Sequence, residues 1–390
     1  MLTSIAMVWL LGLGAGWLCS KMKLPSLLGM ILVGIAIGPH SLNFMDETLL
    51  SISGEIRQIA LVIILTRAGL SLNLSDLKRV GRPAILMCFV PACIEMLGTI
   101  LFAPMLLGVS VFDACIIGSV IAAVSPAVIV PRMIKLIDEG YGANHSIPQL
   151  ILAGASVDDV FVIVVFTSLT TLASTGEIAM SSFLQIPVAV CLGILLGSVT
   201  GYLVVRFFRK FQMRDSIKVL ILLSVSFLML EVEERLEGIV AVSGLIAIMS
   251  IGMFVKQMDD SMAKALQGKY NKLWLGAEVF LFVLVGAAVD LTYALNAGFA
   301  AILLVIAALV FRMGGVFVSL LGTQLTRKER LFCMMAYTPK ATVQAAIGTI
   351  PLTMGLGCGS IVLTVAVISI LLTAPFGAIC IDNSYRKLLD

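Results

Sequence analysis

Apolar runs occupy residues 3–20, 24–39, 56–70, 83–108, 112–135, 147–173, 183–208, 217–234, 239–255, 273–294, 299–321, 331–353 and 358–381, parted by short breaks rich in charge, glycine or proline. Most come near the roughly 20 residues that a hydrocarbon core requires of a helix. The pattern therefore predicts an all-α polytopic membrane protein with thirteen transmembrane helices, here called segments 1 to 13. Segments 2 and 3 are the shortest, and their ends are the least defined. No stretch between segments is long enough for a soluble domain.

Composition agrees with that solvent. Of 390 residues, 60% are hydrophobic and 13% charged, and the mean hydropathy is +1.10; soluble domains carry about a quarter charged residues. The basic residues add orientation, because Lys and Arg collect in cytoplasmic loops. All of the 26 except Arg57, Arg67, Arg235, Arg312 and Lys340 fall in or immediately beside odd-numbered breaks, or after segment 13. This alternation predicts the N-terminus outside and the C-terminus cytoplasmic, in a chain expected to be a multi-pass protein of a bacterial inner (plasma) membrane. No basic residue precedes Lys21, so segment 1 lacks the n-region of a cleaved signal and is expected to be retained. The eight cysteines show neither metal nor disulfide spacing and read as apolar packing residues. The net charge of +3 reflects topology, and no nucleic-acid partner is expected.

Two segments carry a hydroxyl residue followed by proline at mid-depth: Ser125-Pro126 in segment 5 and Thr338-Pro339 in segment 12, with Pro131 and Pro351 downstream. Proline removes a donor and clashes with the preceding turn, and the freed backbone groups must be met by protein or by a wet cavity. Both helices are expected to be interrupted. Lying seven segments apart, they cross the membrane in opposite senses, which is the inverted-repeat pattern that marks a midplane binding site in secondary transporters. The same offset pairs segment 4 with 11 and 6 with 13. It leaves segment 7 as a linker, and segments 1 to 3 and 8 to 10 as a second layer.

The ionisable residues inside spans then fall on the repeat elements: Glu95, Asp158, Asp159, Arg312 and Lys340. A charge at the bilayer centre costs at least about 2.5 to 3.5 kcal/mol, so such residues are rare and usually functional. Asp158 and Asp159 lie together in GASVDDVFVIVVF, without a countercharge nearby in sequence. Neighbouring helix positions diverge by about 100°, so the two carboxylates have different surroundings. Ser156 precedes Asp159 by one helical turn and can offer a further oxygen, as can Ser125 and carbonyls freed at the break. Carboxylate, hydroxyl and carbonyl oxygens suit a small hard cation. Burial and a second carboxylate favour the protonated form while a nearby cation opposes it, so one carboxylate can accept either a proton or a metal ion. Competition for it couples the two fluxes. Gly193, Gly197 and Gly201 indicate only close helix contact. Arg67, Glu278, Asp290 and the acidic run at Glu231, Glu233, Glu234 and Glu237 are as well explained by interfacial solvation.

The VDD segment, the Ser-Pro break, LTRAGLSLN at 65–73 and TPKATVQAAIG at 338–348 together resemble the sodium/proton antiporters of the CPA2 group, and among them the NHA-type exchangers of bacteria and animals. The resemblance spans essentially the whole chain. It implies the NhaA-like antiporter fold, with inverted repeats and two crossed, interrupted helices, and a homodimer in contact with membrane lipids. It also implies an elevator-like cycle, with residues 83–173 and 299–390 as core transport helices and 1–82 and 217–298 as dimerisation or scaffold helices. Residues 174–216 form the linker. Asp159 is implied to be the main sodium-binding carboxylate and Asp158 its partner, with Ser156 and Ser125 nearby. No resident cofactor is implied; sodium or lithium and protons are the cargo.

Many electrogenic relatives carry a lysine where this chain has Arg312. Arginine stays protonated, so Arg312 is expected to be a fixed countercharge, with Glu95 on the pseudo-symmetric segment as its candidate partner. Exchange of one sodium for one proton, without net charge movement, follows. Lys340, beside Pro339, is expected to compensate helix ends and carboxylates at the crossing. Potassium/proton exchange on the same fold is the nearest alternative. An intramembrane aspartyl protease would need carboxylates facing each other from separate helices, whereas Asp158 and Asp159 are consecutive, so the chain is not expected to be an enzyme.

Overall fold

A computed structural model describes residues 1–71, 81–175, 180–236, 240 and 242–389. Lys78, Arg79, Glu237 and the last two residues of LTRAGLSLN lie outside the described residues. Among those described, all regular structure is helical. Among the described residues, seven helical stretches are long and apolar enough to cross a membrane: Leu2–Lys21, Arg82–Leu107, Ile147–Ala173, Cys191–Lys210, Asp260–Ala287, Gly298–Ser319 and Gly359–Leu388.

The chain forms two compact units. The first comprises Met1–Gly54, Ser75–Val162 and Val279–Asp390. It contains α1 (Leu2–Lys21), α2 (Ser26–Ile37), α3 (Glu47–Ser51), α5 (Arg82–Met87), α6 (Val90–Leu107), α7 (Val111–Ile121), α8 (Pro126–Glu139) and the first part of α9 (Ile147–Thr175). After the end of α13 (Asp260–Ala287) come α14 (Leu291–Ser319), α15 (Arg327–Ala336), α16 (Thr342–Ile347), α17 (Ile350–Thr353) and α18 (Gly359–Leu388). The second unit, Glu55–Leu74 and Ile163–Glu278, holds most of α4 (Ser53–Ser71), then α10 (Met180–Lys210), α11 (Asp215–Leu236) and α12 (Gly244–Met258). There Gly193, Gly197 and Gly201 face α12 so closely that a Cβ at Gly193 would stand 2.7 Å from the Ser243 carbonyl oxygen.

Both interrupted segments follow one plan. Each first half opens on a capping box that satisfies orphan helix donors reciprocally. In α7 the Ser110 hydroxyl accepts from the Asp113 N–H at 3.0 Å and the Asp113 carboxylate accepts from the Ser110 N–H at 3.3 Å. In α15, Thr326 and Glu329 do the same at 3.2 and 2.7 Å. Burial works against the ionised Glu329, but His145, 2.8 Å away, and the Thr326 cap outweigh it and hold the carboxyl below its usual range. The helix then stops at Ile121 or Ala336, the chain leaves helical form, and it restarts as α8 at Pro126, directly after the extended Ser125, or as α16 at Thr342, past Pro339. A further interruption falls within segment 4, at Cys88–Phe89 between α5 and α6. Pro91 sits in the first turn of α6, where its missing N–H costs nothing.

Helix α14 packs along α6, and α18 runs beside α7, α8, α14, α15, α16 and α17. Small residues permit both approaches. A Cβ at Gly315 of α14 would lie 2.6 Å from the Pro91 Cα, which is why Arg312, one turn earlier, reaches α6. On α18, Gly377 leaves room for the Pro339 ring, and Thr373 one turn away accepts from the Lys340 N–H at 2.8 Å. This face of α18 thus seats the second break. Replacing Gly377 by valine is expected to displace Pro339 and lower stability by about 1–3 kcal/mol, the usual cost of overpacking. Thermal unfolding of the detergent-purified protein would read this as a lower Tm, with Ser360→Val on the same helix as a control.

Candidate functional site

The two breaks meet directly. The Ser125 N–H donates to the Pro339 carbonyl at 2.8 Å, joining residues far apart in the chain at the point where each helix is open. Four backbone groups on the first break have partners drawn from the surrounding elements. The Ala122 carbonyl accepts from Arg312 Nη1. The Ala123 carbonyl accepts from Gln344 Nε2 at 2.8 Å, and the Val124 N–H donates to Asp158 Oδ2 at 2.8 Å. Ser125 completes the set through Pro339. On the second break the Tyr337 carbonyl accepts from Arg312 Nε at 2.7 Å. The Lys340 N–H reaches Thr373, and the Ala341 N–H donates to Gln344 Oε1 at 2.8 Å.

Arg312 lies at the centre. Besides the two carbonyls, its Nη1 pairs with Glu95 Oε2 at 2.9 Å and its Nη2 with Asp158 Oδ2 at 2.8 Å. Its guanidinium carbon stands 5.1 Å from the Tyr337 ring centroid, within cation–π range. Lys340 Nζ pairs with the same Glu95 oxygen at 2.6 Å. Arg312, Lys340, Glu95 and Asp158 are all buried to 1% exposure or less. Two cations and two anions therefore pair off out of contact with solvent.

Asp159 differs from its neighbour. It is partly accessible, and among the described residues it makes no hydrogen bond or ion pair, its Oδ1 being buried and unpartnered. The buried hydroxyls of Ser125 and Thr342 and Asp158 Oδ1 are likewise without a partner. The Ser156 side chain lies outside what is described, so its place relative to Asp159 is not assigned. Of the residues singled out by sequence, the structure joins Arg312 to Glu95, Lys340 to Glu95, and Asp158 to Arg312, and it puts Ser125, Pro126, Thr338 and Pro339 at or beside the two breaks. Sequence reasoning missed Tyr337, Gln344 and Thr373. Gln344 alone left a signal, as an amide in an apolar run three residues into a restarting helix.

The chain matches the family described as sodium/hydrogen exchanger, transmembrane, over residues 7–382. It is 33% identical over 384 residues to sodium/hydrogen exchanger 9B2 of Homo sapiens, covering 94% of this chain and 70% of that protein. To sodium/hydrogen exchanger 9B1 of Homo sapiens it is 31% identical over 382 residues, covering 94% and 73%. Its fold is similar to that of the sodium proton antiporter MjNhaP1 from Methanocaldococcus jannaschii, with a TM-score of 0.86 at 21% identity over 99% of this chain and 98% of that one.

Charge pairing and charge isolation predict opposite responses to neutralisation. Glu95→Gln leaves Arg312 and Lys340 with one buried carboxylate between them and is expected to cost about 3–5 kcal/mol. Asp159→Asn removes an unpaired charge and should leave Tm unchanged or raised. Parallel thermal denaturation of the two purified variants checks this.

Proposed function

The chain belongs to the sodium/hydrogen exchanger family, and from that premise we propose that its sodium/proton antiport runs through Asp159 alone, one sodium ion exchanging for one proton. The protein is a multi-pass membrane transporter, not an enzyme. The observation carrying the proposal is the pairing of Arg312 and Lys340 with Glu95 and Asp158. Counted as ionised, these four sum to zero. Asp159 is the charge left over, and it has no fixed partner among the described residues.

A carboxylate in an apolar surround is costly unless neutralised. Either a proton or a sodium ion supplies that neutralisation, and the two compete for the same oxygens. The loaded site is electrically neutral with either cargo, whereas the empty site carries a bare charge whose passage through the low-dielectric interior is disfavoured. Exchange is thereby coupled. Asp158 contributes its unpaired Oδ1, and Ser125, with Ser156, offers hydroxyl oxygen, so the cation meets hard oxygen ligands. Sodium and lithium are the cations proposed, with no resident cofactor.

The finer architecture belongs to the same reading. Thirteen crossings are assigned to α1, α2, α4, α5 with α6, α7 with α8, α9 to α14 singly, α15 to α17 together, and α18. Segments 4–6 and 11–13 form inverted repeats on the NhaA-like plan, 83–173 and 299–390 making a transport core and 1–82 and 217–298 a dimerisation scaffold, with 174–216 between. The matched capping boxes and hydroxyl-proline breaks support the repeat. The alternation of basic residues supports an N-terminus outside and a C-terminus in the cytoplasm, and the membrane proposed is a bacterial inner membrane. A homodimer bounded by lipid completes the reading.

Two measurements in proteoliposomes test it. Asp159→Asn is expected to abolish sodium-dependent proton efflux, seen as loss of dye dequenching; retained exchange would refute the site. Wild-type exchange should be indifferent to a clamped membrane potential, because no net charge moves. Arg312→Lys replaces a permanent cation by one that can release its proton and should introduce voltage dependence. Strongly voltage-driven exchange by the wild type would rule out the fixed countercharge.

A further inference from the structure

In the first break, the peptide unit joining Ala123 to Val124 is held from both sides. Its N–H donates to Asp158 Oδ2 and its carbonyl accepts from Gln344 Nε2, each at 2.8 Å. A trans peptide is planar and its N–H and C=O point in opposite directions, so fixing one fixes the other. Gln344 is fully buried, and its Oε1 is engaged by the Ala341 N–H. A primary amide presents an acceptor and a donor on adjacent atoms of one planar group, which is what the two breaks require of a side chain lying between them. Without the donor, the Ala123 carbonyl is a buried acceptor with no partner. Rotation of the peptide would relieve it only by turning an oxygen, in place of an N–H, toward the Asp158 carboxylate.

We propose that Gln344 is a positioning residue for exchange: it orients the Ala123–Val124 peptide so that an N–H faces Asp158, keeping that carboxylate tied into the Arg312 network and leaving Asp159 as the exchanging group. The proposal rests on the assignment of exchange to Asp159. It separates Gln344 from a purely packing role by chemistry. A methionine of similar length keeps the volume and loses both bonds. An introduced glutamic acid restores both when protonated, its hydroxyl donating to Ala123 and its carbonyl oxygen accepting from Ala341. When ionised it opposes an acceptor to the Ala123 carbonyl.

Exchange by Gln344→Met and Gln344→Glu would be measured in proteoliposomes on equal amounts of folded protein, as a ratio to wild type, across about three pH units. The expected result is a loss of about tenfold for Gln344→Met at every pH, in keeping with an unmet buried hydrogen bond, and a ratio for Gln344→Glu that climbs toward wild type as pH falls. Wild-type exchange by Gln344→Met, or a Gln344→Glu ratio that stays flat or falls toward acid pH, overturns the proposal. The Glu ratio compares one preparation with itself across pH, so it stands even where the yield of folded protein is low. Retained exchange in Asp159→Asn would instead strike the site assignment beneath it, and that result is read independently of the Gln344 ratios.

Discussion

A guanidinium offers five N–H donors in a rigid plane, and the buried Arg312 spends its nitrogens on two carboxylates and two backbone carbonyls. The carbonyls belong to different interrupted helices, and the carboxylates to α6 and α9. One side chain thus ties the open end of each broken helix to the acidic residues that face them. Lysine, a point charge with three donors on a flexible stem, could neutralise one carboxylate but could not span this set. The approach of α14 to α6 at Gly315 is what puts the guanidinium there, so a backbone contact with no charge of its own governs the electrostatics.

From that constraint comes a separation of roles between adjacent aspartates. Asp158 is sealed from solvent, with Oδ2 shared between a backbone N–H and Arg312; Asp159, turned about 100° around the same helix, remains partly accessible. Paired charges are static because parting them exposes an uncompensated ion in a low dielectric. A single unpaired carboxylate has the opposite property: either of two small cations relieves it. In the proposed cycle the neutral quartet leaves Asp159 as the one carboxylate whose charge the cargo must balance, and coupling follows from that.

Much of this was legible from sequence because the bilayer restricts what a chain can do. The all-helical class and the seven long spans among the described residues follow from apolar length, and the breaks at Ser125-Pro126 and Thr338-Pro339 follow from proline at depth. The offset of seven segments put Glu95 opposite Arg312, and the two side chains meet. The break at Cys88–Phe89 was not legible, since Pro91 falls two residues on, where a helix tolerates it. Nor was the bond from Arg312 to Asp158, or the parts played by Tyr337, Gln344 and Thr373. Those contacts depend on where extended backbone crosses between helices, and hydropathy carries no record of such a path. Ser125 was legible as a break residue, but the orphaned state of its hydroxyl emerges only once every neighbouring donor is accounted for.

In the proposed exchange, sodium and a proton contend for one carboxylate. Calorimetric titration of purified protein with sodium, repeated in buffers of different ionisation enthalpy and at several pH values, measures this directly. Each bound sodium is expected to release close to one proton on the acid side of the titration, with apparent affinity falling about tenfold for each unit of decreasing pH there. Sodium affinity that is independent of pH, or release of two protons per sodium, would contradict it.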